Sequence, residues 1–147
     1  MQGFAIKNTS KKNLKHFGDK IILDLLDNKI IAKYCTFGKN IFLESSQKIN
    51  KSIIGKYNMN IAKMSNEKEN EIFQNIKNII KNVKEPTTFA VKVQRKGDQK
   101  YSSTELAKNV AGAAFEIWPK IKVNLKKPQL EINIEIINNR SIIYLRN

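Results

Sequence analysis

The sequence predicts an α+β fold, in which strands and helices alternate along one chain and pack as a mixed sheet covered by helices. Three observations carry the prediction. Some segments alternate apolar and polar residues with period two, as in LEINIEII at 130–137, the signature of strands covered on one face. Others place apolar residues three and four apart, as in Ile72, Ile76, Ile79, Ile80 and Val83, the signature of a helix with one buried stripe. Both kinds recur along only 147 residues, 41% of them hydrophobic, which supports one domain or two small ones with a real core.

In chain order, GFAIK at 3–7 reads as a strand. Residues 10–28 follow as a helix whose buried stripe is Leu14, Phe17, Ile21 and Leu25. Gly18 interrupts it at a cost of about 1 kcal/mol relative to Ala. The β-branched run IIAKY at 30–34 and IFLE at 41–44 flank the turn residues FGKN and read as a hairpin. Residues 45–54 read as a short helix ending at Gly55, and YNMNIAKM at 57–64 as an alternating strand. The order strand, helix, strand, strand, helix, strand is the split βαβ, or ferredoxin-like, pattern, expected over residues 1–64.

Residues 65–147 are expected to form a second, α/β domain with a mixed sheet. Its helix at 66–83 is predicted to start in a capping box of Asn66 with Glu69, and Pro86 stops the chain from continuing it. TTFAVKVQRK at 87–96 is a strand with Phe89, Val91 and Val93 on one face. Ser102 and Glu105 form a second capping box, opening a helix from 103 to about 118 that Pro119 ends. KIKVNLKKP is an extended loop, 130–137 a strand, Asn138–Asn139 a turn, and SIIYL at 141–145 the last strand.

Composition narrows the function. There are 27 Lys and Arg against 13 Asp and Glu, a formal charge of +14, with sequence pI near 9.9. Such a field attracts polyanions. Lys, Asn and Ile all use A/T-rich codons, so genome bias alone raises surface lysine; it would spread the excess evenly. Residues 66–91 and 128–147 are each neutral, whereas 92–127 hold nine basic residues against three acidic ones, and 1–65 hold twelve against four. Concentration in 92–127 favours a phosphate-binding face. No apolar run is long enough to span a bilayer, and MQGFAIKNTSKK lacks the pattern of a secretory signal, so a cytoplasmic protein with no membrane partner is expected.

Catalytic groups are scarce. A single cysteine, Cys35, and a single histidine, His16, leave no disulfide framework and no Cys/His zinc site. His16 reads as an exposed surface group and Cys35 as a small buried hydrophobe. No phosphate-loop, dinucleotide or nucleophile-elbow motif occurs, and Glu131 and Glu135 read as solvent-facing strand residues. No catalytic residue, metal or cofactor is therefore expected.

The candidate binding surface comprises Lys92, Arg95, Lys96, Lys100, Ser102, Ser103, Lys108, Lys120, Lys122, Asn124, Lys126 and Lys127. Lys92 and Lys96 share a strand face, and Arg95 closes it at the loop. Ser102 and Ser103 open a helix whose free N–H groups suit a phosphate, although Glu105 competes for that seat and simple N-capping is the other reading. Lys120, Lys122, Lys126 and Lys127 surround Val123 and Leu125. Asn124 suits either a ribose or base edge or its own turn. Trp118 suits either base stacking or the core.

Four stretches in order, TFAVKVQRKG (88–97), YSSTELAKNVAGAAF (101–115), VNLKKP (123–128) and LEINIEII (130–137), resemble the THUMP domain. Asn124 stands where that family usually carries an acidic residue after the valine. The resemblance implies tRNA modification: THUMP units grip the acceptor stem and 3′ CCA end of tRNA and deliver a distant nucleotide to a separate catalytic domain. It implies RNA contacts at Arg95, Lys96, Ser102, Ser103, Lys108, Asn124, Lys126 and Lys127. No catalytic domain follows Asn147 in this sequence, so the expectation is a non-catalytic tRNA-binding adaptor or subunit. Its partner would be a separate modifying enzyme such as a cytidine acetyltransferase, thiouridine synthetase or methyltransferase. The alternative is a basic protein-interaction scaffold without specific RNA recognition.

Overall fold

The computed structural model describes residues 1–9 and 13–147, which form two compact units, Met1–Ala62 and Lys63–Asn147. The fold is α+β, as the alternating periodicities predict.

The first unit contains β1 (Gln2–Lys7), α1 (Leu14–Asp27), β2 (Lys33–Phe37), β3 (Asn40–Ser45), α2 (Lys51–Tyr57) and the start of β4 (Asn60–Asn66). Its strands lie in the order β2-β3-β1-β4, and every pairing is antiparallel. Helix α1 is capped by Asn13, whose side-chain oxygen accepts from the His16 N–H at 2.8 Å. Ser10, Lys11 and Lys12, where the sequence places the first turn of this helix, lie outside the described residues. Phe17, Ile21 and Leu25 are buried against Ile6, Ile41, Leu43 and Ile53. Gly18 is where the Tyr34 ring approaches, and a Cβ there would lie 2.4 Å from it.

Two boundaries here differ from the sequence reading, each for a local reason. The strand predicted at 30–34 starts at Lys33, because Lys29 adopts φ 61 and the Ile30 N–H turns back to the Leu25 carbonyl, leaving Ile30 as a core residue after the helix. The helix predicted at 45–54 spans 51–57 and runs through Gly55 to a left-handed cap at Asn58. Ser45 donates to the Ile31 carbonyl and accepts from the Gln47 N–H, a local turn that competes with an earlier helix start.

The second unit contains the end of β4, then α3 (Glu69–Ile80), β5 (Thr88–Lys96), α4 (Ser103–Val110), α5 (Gly112–Ile117), β6 (Lys122–Val123), β7 (Leu130–Ile137) and β8 (Arg140–Arg146). The order is β4-β8-β7-β5-β6. β5 pairs in parallel with both β6 and β7, and β7 pairs antiparallel with β8. Alternation sends Leu130, Ile132, Ile134 and Ile136 into a core shared with Ile72, Ile76 and Ile80 of α3 and with Leu106, Val110 and Ala114. Asn66 ends β4 and its side chain accepts from the Lys68 N–H, so α3 begins at Glu69 rather than at the predicted capping box. The helix predicted at 103–118 is divided at Ala111, and the loop predicted at 120–128 contains the two-residue strand β6.

Candidate nucleic-acid interface

All twelve predicted binding residues fall in the second unit, where the direction of β5 sorts them. β6 pairs with the first residues of β5, Thr88 with Lys122 and Phe89 with Val123. Lys120, Lys122, Asn124, Lys126 and Lys127 therefore lie at the beginning of β5. Arg95, Lys96, Lys100, Ser102 and Ser103 lie past its end. Eight residue steps separate the two groups, about 26 Å at a strand rise of 3.3 Å per residue. The single continuous surface suggested by the sequence is thus two groups at opposite ends of one strand. The period-two pattern fixes which face a residue occupies; the length of the strand, and the helical return to its start, separate the ends.

In the group past the end of β5, Arg95 and Ser102 are occupied by local contacts. The Arg95 guanidinium donates to the Gln99 side-chain oxygen at 3.2 Å and to the Gly97 carbonyl at 3.4 Å. The Lys96 carbonyl accepts from the Asn138 N–H and from the Gln99 amide. Gly97 turns the chain at φ 113, a conformation open to glycine. The Ser102 side chain accepts from the Glu105 N–H at 3.1 Å, and the Glu105 carboxylate accepts from the Ser102 N–H at 3.2 Å. The capping box thus takes up the Ser102 and Glu105 N–H groups of the helix start, and the Glu105 carboxylate competes there with a phosphate. A cavity of about 660 Å³ opens beside it, lined by Glu67, Glu69 and Asp98 against Lys68 and Lys100, with Tyr101 and four amide side chains. Its balance is acidic, unsuited to phosphate. Burial first, and then Glu67, push the Tyr101 hydroxyl above its usual value; that hydroxyl donates to the Glu67 carbonyl.

Lys92 is paired rather than available. Its ammonium bonds to Glu131 at 2.7 Å, across the parallel β5–β7 ladder, and holds that carboxyl below its usual range. Lys108 is exposed on α4. Trp118 is buried in the core, which excludes base stacking, and His16 is exposed as expected. Cys35, expected to be buried, is exposed on β2.

The group at the start of β5 has the opposite character. Lys120, Lys122, Lys126 and Lys127 are exposed, and among the described residues none is within ion-pair reach of a carboxylate. Val123 and Leu125 stand among them, 50% and 71% exposed. The loop carrying them is fixed at both ends: the Asn124 N–H donates to the Phe89 carbonyl at 3.0 Å, and the Gln129 N–H to the Thr88 hydroxyl at 3.0 Å. The Gln129 side chain in turn accepts from the Thr87 N–H at 2.6 Å. Within the loop, the Asn124 side-chain oxygen accepts from the N–H groups of Lys126 and Lys127, both at 3.1 Å. Asn124 is therefore the turn former that sets both lysines. Sequence reasoning missed Thr88 and Gln129, because a contact across 41 residues leaves no local signal. What results is a held cationic edge with unneutralised ammonium groups, suited to phosphate oxygens along a strand.

The model of the THUMP domain matches residues 66–146, which contain every one of these groups. A tRNA sulfurtransferase of Vibrio campbellii is 31% identical over 70 residues, 48% of this chain and 14% of the relative. Among solved structures, PH1313 from Pyrococcus horikoshii superposes with a TM-score of 0.67 at 18% identity, over 99% of this chain and 54% of that one. A 4-thiouridine synthetase–RNA complex with bound ATP superposes with a TM-score of 0.64 at 10% identity, over 99% of this chain and 41% of that one. The chain thus spans about half of the first of these structures and a small fraction of the curated relative.

Proposed function

Because the chain belongs to the THUMP domain family, we propose that it binds tRNA through the lysine edge at the start of β5 and presents it to a separate nucleotide-modifying enzyme, with no catalytic group of its own. The observation that carries this reading is the set Lys120, Lys122, Lys126 and Lys127, free of carboxylate partners and held in place by Asn124 and Gln129. The relative named tRNA sulfurtransferase and the RNA-bound 4-thiouridine synthetase support tRNA as the partner. Among the described residues no group of three or more His, Cys, Asp or Glu could hold a metal ion, and no helix is long and apolar enough to cross a membrane. The first unit, with its antiparallel β2-β3-β1-β4 order, is read as the ferredoxin-like subdomain that accompanies the THUMP domain.

A gel-shift titration against tRNA with and without its 3′ CCA tests the proposal. Binding that neutralises four phosphates gives a salt slope of roughly −3 on logarithmic axes. Removal of CCA is expected to weaken binding by about tenfold, through lost contacts to the single-stranded end. Equal binding of the two RNAs would leave only generic polyanion attraction. No binding to tRNA, together with tight capture of an acidic protein, would establish the scaffold reading instead.

A further inference from the structure

We propose that the outer edge of β2 is a self-association surface, and that two copies of this chain pair there in antiparallel register about Tyr34. β2 is the edge of the first unit's sheet, and its only strand partner among the described residues is β3. The β2–β3 hairpin closes on the two-residue turn Gly38–Lys39, with Phe37 opposite Asn40. In such a hairpin the closing pair exchanges both backbone hydrogen bonds, and the pattern then alternates. Phe37, Cys35 and Lys33 therefore direct their backbone groups inward to β3. Ile31 continues the series: its N–H donates to Gln47 at 2.8 Å and its carbonyl accepts from Ser45 at 2.9 Å. Ala32, Tyr34 and Thr36 direct theirs outward, a row centred on Tyr34 with no strand partner among the described residues.

A two-fold axis through Tyr34 uses that whole row. Tyr34 meets Tyr34 of the second copy, Ala32 meets Thr36, Lys33 meets Cys35, and Ile31 meets Phe37. No like charges are opposed, and the outward groups of three residues per copy form six backbone hydrogen bonds. Ile31 is 71% exposed and stands opposite the backbone of Phe37, whose ring is already buried in its own copy. The Tyr34 ring does not obstruct the axis, because it lies back over Gly18 with its hydroxyl donating to Asp19 at 2.7 Å. That contact also sets Lys15 and Asp19 level with Tyr34, since the hydroxyl lies 3.0 Å from the Lys15 carbonyl as well. Across the axis, Lys15 of one copy comes level with Asp19 of the other, a complementary pair in both directions. The outer edge of the second unit's sheet, at β6, is only two residues long and set among lysines, the features that block strand addition. β2 is five residues long with one lysine.

The test is sedimentation velocity of the full chain, free of RNA, over a range of concentrations and at two salt levels. A concentration-dependent dimer is expected, strengthened by salt because each copy carries +14. Thr36→Pro removes an outward N–H and none of the bonds to β3, so it should fold and weaken dimerisation by about tenfold or more. Ile31→Lys, at a surface position, should act in the same direction without Pro. Lys33→Cys should form an intermolecular disulfide with Cys35 of the second copy: each thiol loses a proton and one electron, the two electrons passing to added copper(II)–phenanthroline. A chain that stays monomeric throughout overturns the proposal. So does a dimer that survives both Thr36→Pro and Ile31→Lys, or one in which Lys33→Cys yields no covalent dimer.

Discussion

Gly18 and Gly55 both sit inside helices, and their surroundings give them opposite roles. A Cβ on Gly18 would lie 2.4 Å from the Tyr34 ring, whereas nothing stands within 4 Å of one on Gly55. Gly18→Ala should destabilise by about 1–3 kcal/mol through overpacking, despite its better helix propensity. Gly55→Ala should stabilise by about 0.5–1 kcal/mol. Urea unfolding of both variants checks the pair; a stabilised Gly18→Ala would contradict the packing. The sequence marks Gly18 only as a weak point in a helix, because the reason for it is an aromatic ring sixteen residues away.

Asp24, like Glu131, is a source of acid sensitivity at the same scale. Its carboxylate accepts from Lys56 at 2.7 Å and from Tyr57 at 2.6 Å. The Lys56 hydrogen bond, followed by that of Tyr57, holds its pKa below the ordinary 3.8. Burial, and then Asp24, push the Tyr57 hydroxyl up to about 12. A carboxyl with a depressed folded value contributes fully above its unfolded value, and that contribution is lost as pH falls through the folded one. Stability should therefore drop below pH 3.8. Asp24→Asn should be less stable at neutral pH and show a smaller drop in acid. Unfolding midpoints at several pH values measure both, and parallel acid profiles would remove Asp24 from the account.

Among the elements, the loop after β6 joins fold to function. Asn124 accepts from two backbone N–H groups, a job that a carboxylate does equally well. Asn124→Asp should keep the loop, and Asn124→Ala should loosen it and weaken RNA binding. Amide exchange at Lys126 and Lys127 distinguishes them: fast exchange in the Ala variant alone supports the turn, and equal protection in both contradicts it. Elements with strict periodicity were legible from sequence, as in β7 and the buried stripe of α3. Boundaries set by side-chain-to-backbone bonds were not. Asn66, Ser45 and the left-handed Lys29 each moved an end by several residues through contacts that periodicity does not encode.

At the scale of the molecule, the charge excess in residues 92–127 does not form a single surface. Arg95 lies near the end of β5 and Lys122 beside its start, and Lys92 is neutralised by Glu131. A residue list read in one dimension cannot show that a parallel crossover returns the chain to its starting end. Lys120, Lys122, Lys126 and Lys127 stand without an ion pair among the described residues, on a loop anchored through Asn124 and Gln129.

The central claim, that this edge grips tRNA, is tested most directly by the salt dependence of tRNA binding for Lys126→Ala/Lys127→Ala beside Ser102→Ala. The double variant should bind tRNA about tenfold or more weakly, with the salt slope reduced by about 2. Ser102→Ala should lose about 1 kcal/mol of stability and keep its affinity. Unchanged affinity and slope in the double variant, or a loss confined to Ser102→Ala, would contradict the assignment.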